Sequence, residues 1–242
     1  MNIVALIPAR SGSKGIIHKN IKLYKGIPLL AHSIKVAKEC KYIKSVYVST
    51  DSQEYANIAI EYGAEVTPLR SKDISSDLSP DIDTFHHFIN MFNVDDFMCC
   101  LPSVSSVPTI IVHLRPTYPN RTVDLLNRCI EEFLSKYDIY DSLRTVVPIN
   151  KTPYKMYHIE NGNLTPFIKN HPTFKEPYNQ ARQNFPTTYL HNGCIDIVKT
   201  DIIIKRCLLS GDNILPFIMD ENEINDIDDL NDFNKSENNS II

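Results

Sequence analysis

Cations and small residues alternate near the start of the chain, in residues 9–20. Arg10, Lys14 and Lys19 carry the positive charge, and glycines and serines lie between them. Glycine allows backbone N–H groups to approach a ligand closely, and successive amides can form a concavity that binds an anion. Arginine and lysine supply the compensating charge, so the ligand that this chemistry favours is a polyphosphate.

Two standard nucleotide-binding motifs do not fit this segment. Residues 12–15 read Gly-Ser-Lys-Gly and lack the spacing of the Walker A motif, and the chain contains no G-x-G-x-x-G fingerprint. By composition alone the segment could equally be a plain surface turn. Its position directly after an apolar run, residues 3–7, favours a binding loop that a buried strand delivers to one end of a sheet.

Two aspartates near the other end of the chain could hold a metal ion. Asp226 and Asp228 are separated by one residue, so on an extended segment both carboxylates can face the same side. Mg²⁺ prefers one or two carboxylates together with phosphate oxygens and waters. Composition alone favours a solvated acidic tail instead. The adjacent His86 and His87 do not suggest a metal pair, because neighbouring residues on a helix point in different directions.

The segments between these residues predict alternating strands and helices. Strands are predicted over residues 3–7, 45–50, 64–66, 108–114, 142–149, 188–198 and 214–219, and helices over residues 28–40, 54–62, 83–92 and 123–136. This rhythm predicts an α/β fold with right-handed crossovers and a mainly parallel sheet. Because ligands bind beyond the carboxyl ends of the strands in such sheets, we expect Arg10, Lys14, Asp51 and Arg70 along one rim.

Three segments depart from this alternation. Residues 153–186 combine short strand-like pieces with turn signals, which predicts a β-rich excursion from the sheet. We interpret residues 95–107 as an irregular insertion and residues 233–242 as a frayed tail. The whole chain, residues 1–242, is interpreted as one domain that carries these additions.

Composition bounds the remaining possibilities. The chain has 242 residues, 43% of them hydrophobic, and a net charge of −4, which is typical of a soluble globular protein and disfavours nucleic acid as a partner. It contains no apolar run of about 18 residues or more, so no membrane span is expected. The start lacks a signal-peptide pattern and the six cysteines form no C-x-x-C pair, so we expect a cytoplasmic protein with reduced cysteines.

Residues 7–15, Ile-Pro-Ala-Arg-Ser-Gly-Ser-Lys-Gly, followed by Lys19-Asn20, resemble the opening signature of the acylneuraminate cytidylyltransferase family. Members of this family make CMP-activated sialic acids and related acidic sugars, and CMP-KDO synthetases are relatives. Further similarities follow in the same order along nearly the whole chain, in residues 49–51, 70–83, 114–121, 182–193 and 224–228. The resemblance implies a three-layer, Rossmann-like nucleotidyltransferase fold in a single cytidylyltransferase domain.

The resemblance also implies a reaction. A sugar hydroxyl attacks the α-phosphorus of CTP in the presence of Mg²⁺, and pyrophosphate leaves. Catalytic roles as clamps on the triphosphate are implied for Arg10, Lys14 and Lys19, and metal ligation for Asp226 and Asp228. Nucleotide contacts are implied for Ala9, Ser11, Gly12, Asn20, Arg70 and Asp77, with Asn20 at the cytosine edge.

For the acceptor sugar, the resemblance implies roles for other residues. Binding of the acidic sugar is implied for Arg115, Arg182 and Gln183, and the excursion, residues 153–186, is implied as the contact of a homodimer. Besides the insertion at residues 95–107, two segments depart from the family pattern. Arg115 stands where the family usually has glutamine, and Leu78-Ser79-Pro80-Asp81 replaces a run of small hydroxyl residues.

The expected function is therefore Mg²⁺-dependent cytidylyl transfer from CTP to the anomeric hydroxyl of a sialic-acid-like, nonulosonic acid sugar. One alternative is a nucleotidyltransferase for KDO or for a phosphorylated acceptor, which the additional cation at Arg115 suggests. The other alternative is a catalytically silent nucleotide-binding protein, which the altered segment before Asp81 suggests.

Overall fold

The computed structural model of the protein describes residues 1–13, 15–92, 107–220, 227 and 230–238. All but the last residue of the predicted insertion, residues 95–107, lies outside the described residues. The described residues form two compact units. The first draws on Met1–Thr145, Gly193–Phe217 and Asn225–Ile242, and the second on Val146–Asn192 and Ile218–Ile224.

Strands and helices alternate along the described chain. The strands are β1 (Ile3–Pro8), β2 (Leu23–Tyr24), β3 (Ile27–Pro28), β4 (Ser45–Ser49), β5 (Glu65–Val66), β6 (Ile110–His113), β7 (Ser142–Ile149), β8 (Tyr157–Glu160), β9 (Asn163–Pro166), β10 (Thr188–Lys199) and β11 (Ile214–Ile218). The helices are α1 (Leu29–Glu39), α2 (Gln53–Glu61), α3 (Asp81–Asn90), α4 (Val123–Ser135), α5 (Thr200–Arg206) and α6 (Leu230–Asn238).

The central sheet has the strand order β11-β7-β10-β6-β1-β4-β5. β1 lies between β6 and β4 and is parallel to both, and β5 is parallel to β4. β10 runs antiparallel to β6, with Asp196 opposite His113. Parallel pairing requires a crossover between the strands, which is why helices alternate with strands in the first half of the chain. The predicted α/β fold with a mainly parallel sheet is confirmed.

Helices cover both faces of this sheet. Because side chains of a strand alternate between faces, Val4 and Leu6 of β1 point together into one hydrophobic cluster, where they meet Phe85 and Phe88 of α3 and Ile203 of α5. On the other side, α1 packs against β1 and β4, and α4 packs against α1. β1 is buried up to its final proline, as expected for a strand between two helical layers.

Helix α6 belongs to the first unit and packs beside the start of the chain. A buried cluster contains Ile16, Tyr24, Leu29, Ile227 and Phe233. The Tyr24 hydroxyl also donates to the carbonyl oxygen of Ser236 at 3.0 Å. The predicted frayed tail, residues 233–242, begins within this helix, and its last four residues lie outside the described residues. These contacts connect Ile227 and α6 to the segment that follows the first loop.

The second unit contains a hairpin of β8 and β9. Asn161 and Gly162 connect the two strands with φ angles of 50° and 79°, as tight hairpin turns require. A group of packed rings consists of Tyr154, His171, Phe174 and Phe185. The rest of the predicted β-rich excursion, residues 153–186, is made of loops and short 3-10 turns, so the hairpin accounts for its strand content.

Two general expectations concern the whole chain. Every helix within the described ranges is too short or too polar to serve as a membrane span. Among the described cysteines, Cys40, Cys129 and Cys194 are buried, as predicted for most of the cysteines, whereas Cys207 is exposed.

Candidate active site

A cavity of about 560 Å³ opens at the carboxyl ends of β1 and β6 in the first unit. Of the site residues predicted from the sequence, those that line this cavity are Arg10, Lys19, Asn20, Arg70, Asp77 and Arg115. They come from the loop after β1 and from the segments that follow β5 and β6. Because the carboxyl ends of parallel strands meet at one edge of a sheet, residues far apart in sequence share this cavity.

Other predicted site residues are not among the cavity lining. Arg182 and Gln183 lie in the second unit, in an exposed 3-10 turn. There the Arg182 Nη1 atom donates to the backbone and side-chain oxygens of Asn150, at 3.0 and 3.1 Å. Three further predictions lie outside the described residues, namely Lys14, Asp226 and Asp228.

The loop after β1 is fixed by hydrogen bonds to the end of the neighbouring strand β4. The backbone N–H and the hydroxyl of Ser11 donate to the two carboxylate oxygens of Asp51, each at 2.8 Å. The N–H of Ala9 donates to the carbonyl oxygen of Ser49 at 2.9 Å. A Cβ on Gly12 would meet no atom within 4 Å, so the space beside the loop is open. Asp51 therefore positions the loop that carries the predicted phosphate clamps.

Arg10 and Asn20 support each other within this loop. The Arg10 guanidinium forms an ion pair with Asp77, with 2.5 Å between Nη1 and Oδ1. The buried Asn20 amide donates from Nδ2 to the Arg10 carbonyl oxygen at 3.0 Å. This bond fixes the orientation of the amide and leaves its Oδ1 atom as an acceptor for a ligand.

Lys19 connects the cavity to the segment that precedes α6. Its ammonium group donates to the carbonyl oxygen of Ile227 at 3.0 Å, and the N–H of Ile227 donates to the carbonyl oxygen of Thr117 at the same distance. Ile227 is buried, and it separates the predicted metal ligands Asp226 and Asp228 in the sequence. Within the part of the chain that the structure describes, no group of three or more His, Cys, Asp or Glu side chains could hold a metal ion.

Arg70 is a buried cation with unused donors. Its backbone N–H donates to the Thr50 carbonyl oxygen at 2.9 Å, and its Nη1 donates to the Thr84 hydroxyl at 2.5 Å. Its Nε and Nη2 atoms are buried and have no hydrogen-bond partner among the described residues. Burial lowers the pKa of this guanidinium. Buried polar groups without partners are rare in proteins, so these donors point to a ligand with oxygen acceptors.

Arg115 is held by two carboxylates. Its Nη1 donates to Asp196 Oδ2 at 2.7 Å and to the Gly193 carbonyl oxygen at 3.1 Å, and its Nη2 donates to Asp81 Oδ2 at 3.3 Å. Burial lowers the pKa of the guanidinium, but Asp196 and Asp81 more than offset this and raise it. Gly193 has a φ angle of +69°, and a Cβ there would lie 3.0 Å from Arg115 Nη1. Asp81, whose charge would be unfavourable beside a phosphate, is thus directed toward a cation.

His113 lines the same cavity and is not singled out by the sequence analysis. It is buried at the end of β6, with its Nδ1 atom 3.9 Å from Asp196 Oδ2 and its ring edge against Phe85. Its Nε2 atom is buried and has no hydrogen-bond partner in the described ranges. Burial and the nearby Arg115 lower the pKa of His113 to about 4. The available sequence signal is one polar residue at the end of an apolar strand, two positions before Arg115.

The lowered pKa of His113 predicts a contribution to acid sensitivity. The unfolded chain, with a pKa near 6.5, takes up a proton before the folded chain, whose pKa is about 4. The associated stability is therefore fully present above about pH 6.5 and is lost as the pH falls toward 4. We expect His113→Leu to reduce this loss, as measured by urea unfolding at pH 7 and pH 4.5.

The comparison between the two proteins isolates His113. Burial also lowers the pKa values of His32 and His87, and both are unchanged in the variant. An equal loss of unfolding free energy in the wild type and in His113→Leu would contradict the prediction.

Comparisons with known proteins agree with this architecture. The chain matches the cytidylyltransferase family over residues 4–103. It is 30% identical over 232 residues to post-translational flagellin modification protein B of Campylobacter coli, a match that covers 96% of this chain and 92% of the relative. The identity and both coverages are the same for the CMP-N,N'-diacetyllegionaminic acid synthase of Campylobacter jejuni. The chain spans 40% to 50% of the length of several longer curated relatives.

A solved structure shares the fold. CMP:2-keto-3-deoxy-manno-octonic acid synthetase in complex with CTP superposes with a TM-score of 0.68, over 99% of this chain and 98% of that chain. The sequence identity is 14%, so this likeness concerns the fold alone.

Proposed function

Because the chain belongs to the cytidylyltransferase family, we propose that it transfers the cytidylyl group of CTP to the anomeric hydroxyl of a nonulosonic acid sugar and releases pyrophosphate. The observation that carries this proposal is the cavity at the carboxyl ends of β1 and β6, which brings Arg10, Lys19, Asn20 and Arg70 together. The sugar class is supported by the name of the Campylobacter jejuni relative, a CMP-N,N'-diacetyllegionaminic acid synthase.

The phosphate half of the site consists of cations. Charge in such a transfer lies mainly on phosphate oxygens, so fixed positive groups supply most of the stabilisation. We assign this role to Arg10, Lys14 and Lys19. The Arg10 guanidinium is paired with Asp77, and a triphosphate would compete with that carboxylate for it. The open space beside Gly12 leaves room for the phosphates to approach the loop.

The nucleoside half consists of hydrogen-bonding groups. The Asn20 amide is fixed by the Arg10 carbonyl oxygen, so its Oδ1 atom can accept from the exocyclic amine of cytosine. The Nε and Nη2 donors of Arg70, which have no partner in the described part of the chain, can bond to the carbonyl of the base or to ribose oxygens. Ala9 and Ser11 contribute through the backbone of the loop that Asp51 holds in place.

We assign Mg²⁺ to Asp226 and Asp228. Two carboxylates one residue apart are a donor set that fits Mg²⁺, which also takes phosphate oxygens and waters. When bound, the ion would neutralise charge on the triphosphate and orient it. Within the chain itself, Ile227 lies between the two aspartates, and Lys19 and Thr117 hold both ends of its backbone. The same lysine would thereby link the phosphates to the metal-binding segment.

The remaining predicted residues are assigned to binding of the acceptor sugar and to the contact of a homodimer. We propose that Arg115 lines the acceptor site through a guanidinium that Asp196 and Asp81 hold in place. Arg182 and Gln183, in the excursion, are proposed to reach the acidic sugar bound to the partner subunit. A homodimer through the β8–β9 hairpin is also proposed, because large apolar side chains are exposed there. Ile159 is 78% exposed and Leu164 is 66% exposed, and covering such residues is favourable in an interface.

Pyrophosphate release tests this proposal. The purified protein is incubated with Mg²⁺, with each nucleoside triphosphate in turn, and with nonulosonic acids, KDO or phosphorylated acceptors. We expect release that requires both CTP and a nonulosonic acid. Binding of CTP without release from any acceptor, by protein shown to be folded, would support the silent nucleotide-binding alternative and contradict the proposed function. Faster release with a phosphorylated acceptor would contradict the sugar class.

The structure does not favour a phosphorylated acceptor. That alternative depends on Arg115 as an additional cation, but Asp196 and Asp81 already pair with its guanidinium. A phosphate at this position would meet a cation whose charge is largely compensated.

A further inference from the structure

We propose that Thr84 is a positioning residue for the choice of nucleobase, because it fixes which edge of the Arg70 guanidinium faces the nucleotide. This inference rests on the proposed function and specifies how the nucleotide is recognised within it. Both side chains line the cavity. Both residues are also buried, since Thr84 is 4% exposed and Arg70 is 7% exposed. Their contact is therefore shielded from bulk water, which would otherwise compete for the hydrogen bond.

The first step is the way in which Arg70 is held. Its backbone N–H donates at 2.9 Å to the carbonyl oxygen of Thr50, the residue that follows β4. At the other end of the residue, the Nη1 atom donates to the Thr84 hydroxyl at 2.5 Å. Thr84 lies on α3, and a β-branched side chain on a helix has few rotamers, so this acceptor is itself rigid. The two bonds together fix both the position and the rotation of the guanidinium.

The second step is the edge of the guanidinium that this arrangement leaves open. The Nε and Nη2 atoms are buried and have no hydrogen-bond partner among the residues that the structure describes. In a planar guanidinium, the Nε–H and one N–H of Nη2 point in the same direction and form a pair of parallel donors. Such a pair fits two neighbouring acceptor atoms, as when arginine binds the edge of a nucleobase.

The third step is the surroundings of Arg70, which favour a neutral ligand on this edge. Burial lowers the pKa of the guanidinium, and the charges of Asp51 and Asp81 act on it in the opposite direction. Because carboxylates already balance part of its charge, a phosphate gains less here than at an uncompensated cation. Arg70 also follows β5 at the edge of the sheet, whereas the loop with the phosphate clamps follows β1, two strands away.

The fourth step is the chemistry of the base. Cytosine presents N3 and O2 as neighbouring acceptors, whereas N3 of uracil carries a proton. The parallel donors of Arg70 can bond to both atoms of cytosine, but one of them would oppose the N3–H of uracil. Thr84 acts through Arg70, because without the bond to Nη1 the guanidinium can turn and the donors no longer share a fixed direction.

Binding of a matched nucleotide pair tests this inference. The purified protein is titrated in a calorimeter with Mg²⁺ and nucleotide, without an acceptor sugar. CTP is compared with 3-deaza-CTP, in which a C–H group replaces N3 while the ribose and the phosphates stay unchanged. Loss of a bond to a charged donor should raise the dissociation constant of the wild type by about 10-fold or more. The ratio of the two constants should fall toward one in Thr84→Val, which keeps the side-chain shape and lacks the hydroxyl.

Three further variants sharpen the result. Thr84→Ser keeps the hydroxyl and should retain most of the ratio. Thr84→Ala should lower the ratio as the valine variant does, and it serves if that variant does not fold. Thr200→Val makes the same substitution at another buried threonine, at the start of α5 and outside the cavity lining, and should leave the ratio unchanged. The thermal midpoint of each variant shows whether it is folded.

The outcomes separate the two proposals. Weak binding of CTP, with no preference over the other nucleoside triphosphates, would contradict the proposed function and, with it, the role of Arg70 toward cytosine. Tight binding of CTP with an equal dissociation constant for 3-deaza-CTP would contradict this inference alone, because the open edge would then face phosphate or ribose oxygens. A wild-type ratio that persists in both Thr84→Val and Thr84→Ala would overturn the role of Thr84, because other groups would then hold the guanidinium.

Discussion

Lys19→Met is expected to lower kcat/KM for CTP by at least about 100-fold. Removing one fixed positive group that stabilises charge in a transition state typically costs this much. Lys19 also has a second contact. It lines the cavity, and its ammonium group donates a hydrogen bond to the carbonyl oxygen of Ile227. Its loss would therefore remove a phosphate contact and release the segment that contains the proposed metal ligands. Steady-state kinetics with varied CTP measures the effect.

A matched control keeps this result specific. Lys35→Met removes the same charge from the exposed face of α1 and should leave kcat/KM for CTP within about 2-fold of the wild type. The thermal midpoint of each variant checks that the fold is intact. A folded Lys19→Met protein with wild-type kinetics would contradict the assignment of Lys19 to the triphosphate.

Asp228→Asn is expected to lower kcat by about 100-fold or more at physiological Mg²⁺. A neutral amide is a weaker ligand for this hard cation than a carboxylate. We also expect the Mg²⁺ concentration for half-maximal rate to rise. In the wild type, EDTA should abolish transfer and added Mg²⁺ should restore it. The measurement is the initial rate of pyrophosphate release across a Mg²⁺ titration.

The control for this variant is another exposed aspartate. Asp138→Asn makes the same substitution at an exposed position after α4 and should leave the Mg²⁺ titration unchanged. Wild-type rates from Asp228→Asn at every Mg²⁺ concentration would exclude Asp228 as a metal ligand. Transfer by the wild type in EDTA would exclude the metal requirement itself.

The sequence predicts, for a physical reason, that residues following different strands share one cavity. An apolar run followed by a polar loop predicts where a parallel strand ends, and parallel strands end at one edge of a sheet. Arg10 and Arg70 follow different strands and nevertheless line one cavity. Only the approximate positions of the strands are needed for this inference, and periodicity supplies them.

The surroundings of Arg115 are less accessible to sequence reasoning, because its partners come from distant segments. Arg115 alone suggests an additional free cation. Its two carboxylates, Asp81 and Asp196, lie on α3 and β10, and only the strand register brings Asp196 beside β6. The same register places Asp196 opposite His113, the last residue of the apolar strand β6, which also lines the cavity.

Helix α6 illustrates a second limit. The end of the chain is acidic and rich in asparagine, which indicates a solvated tail. A single aromatic residue, Phe233, inserts among Tyr24, Leu29 and Ile227 and anchors the helix. The average composition of a segment does not reveal one such residue, whereas the packing of the helix depends on it.

The central claim is that a cytidylyl group moves from CTP to a sugar hydroxyl, and phosphorus NMR of the reaction mixture tests it most directly. With Mg²⁺, CTP and a nonulosonic acid, we predict that the three CTP signals are replaced by pyrophosphate and one uncoupled phosphodiester signal. A coupled pair of diphosphate signals in the nucleotide product would mean that the acceptor oxygen belongs to a phosphate. That result, or an unchanged CTP spectrum from folded protein with every acid sugar, would contradict the proposed function.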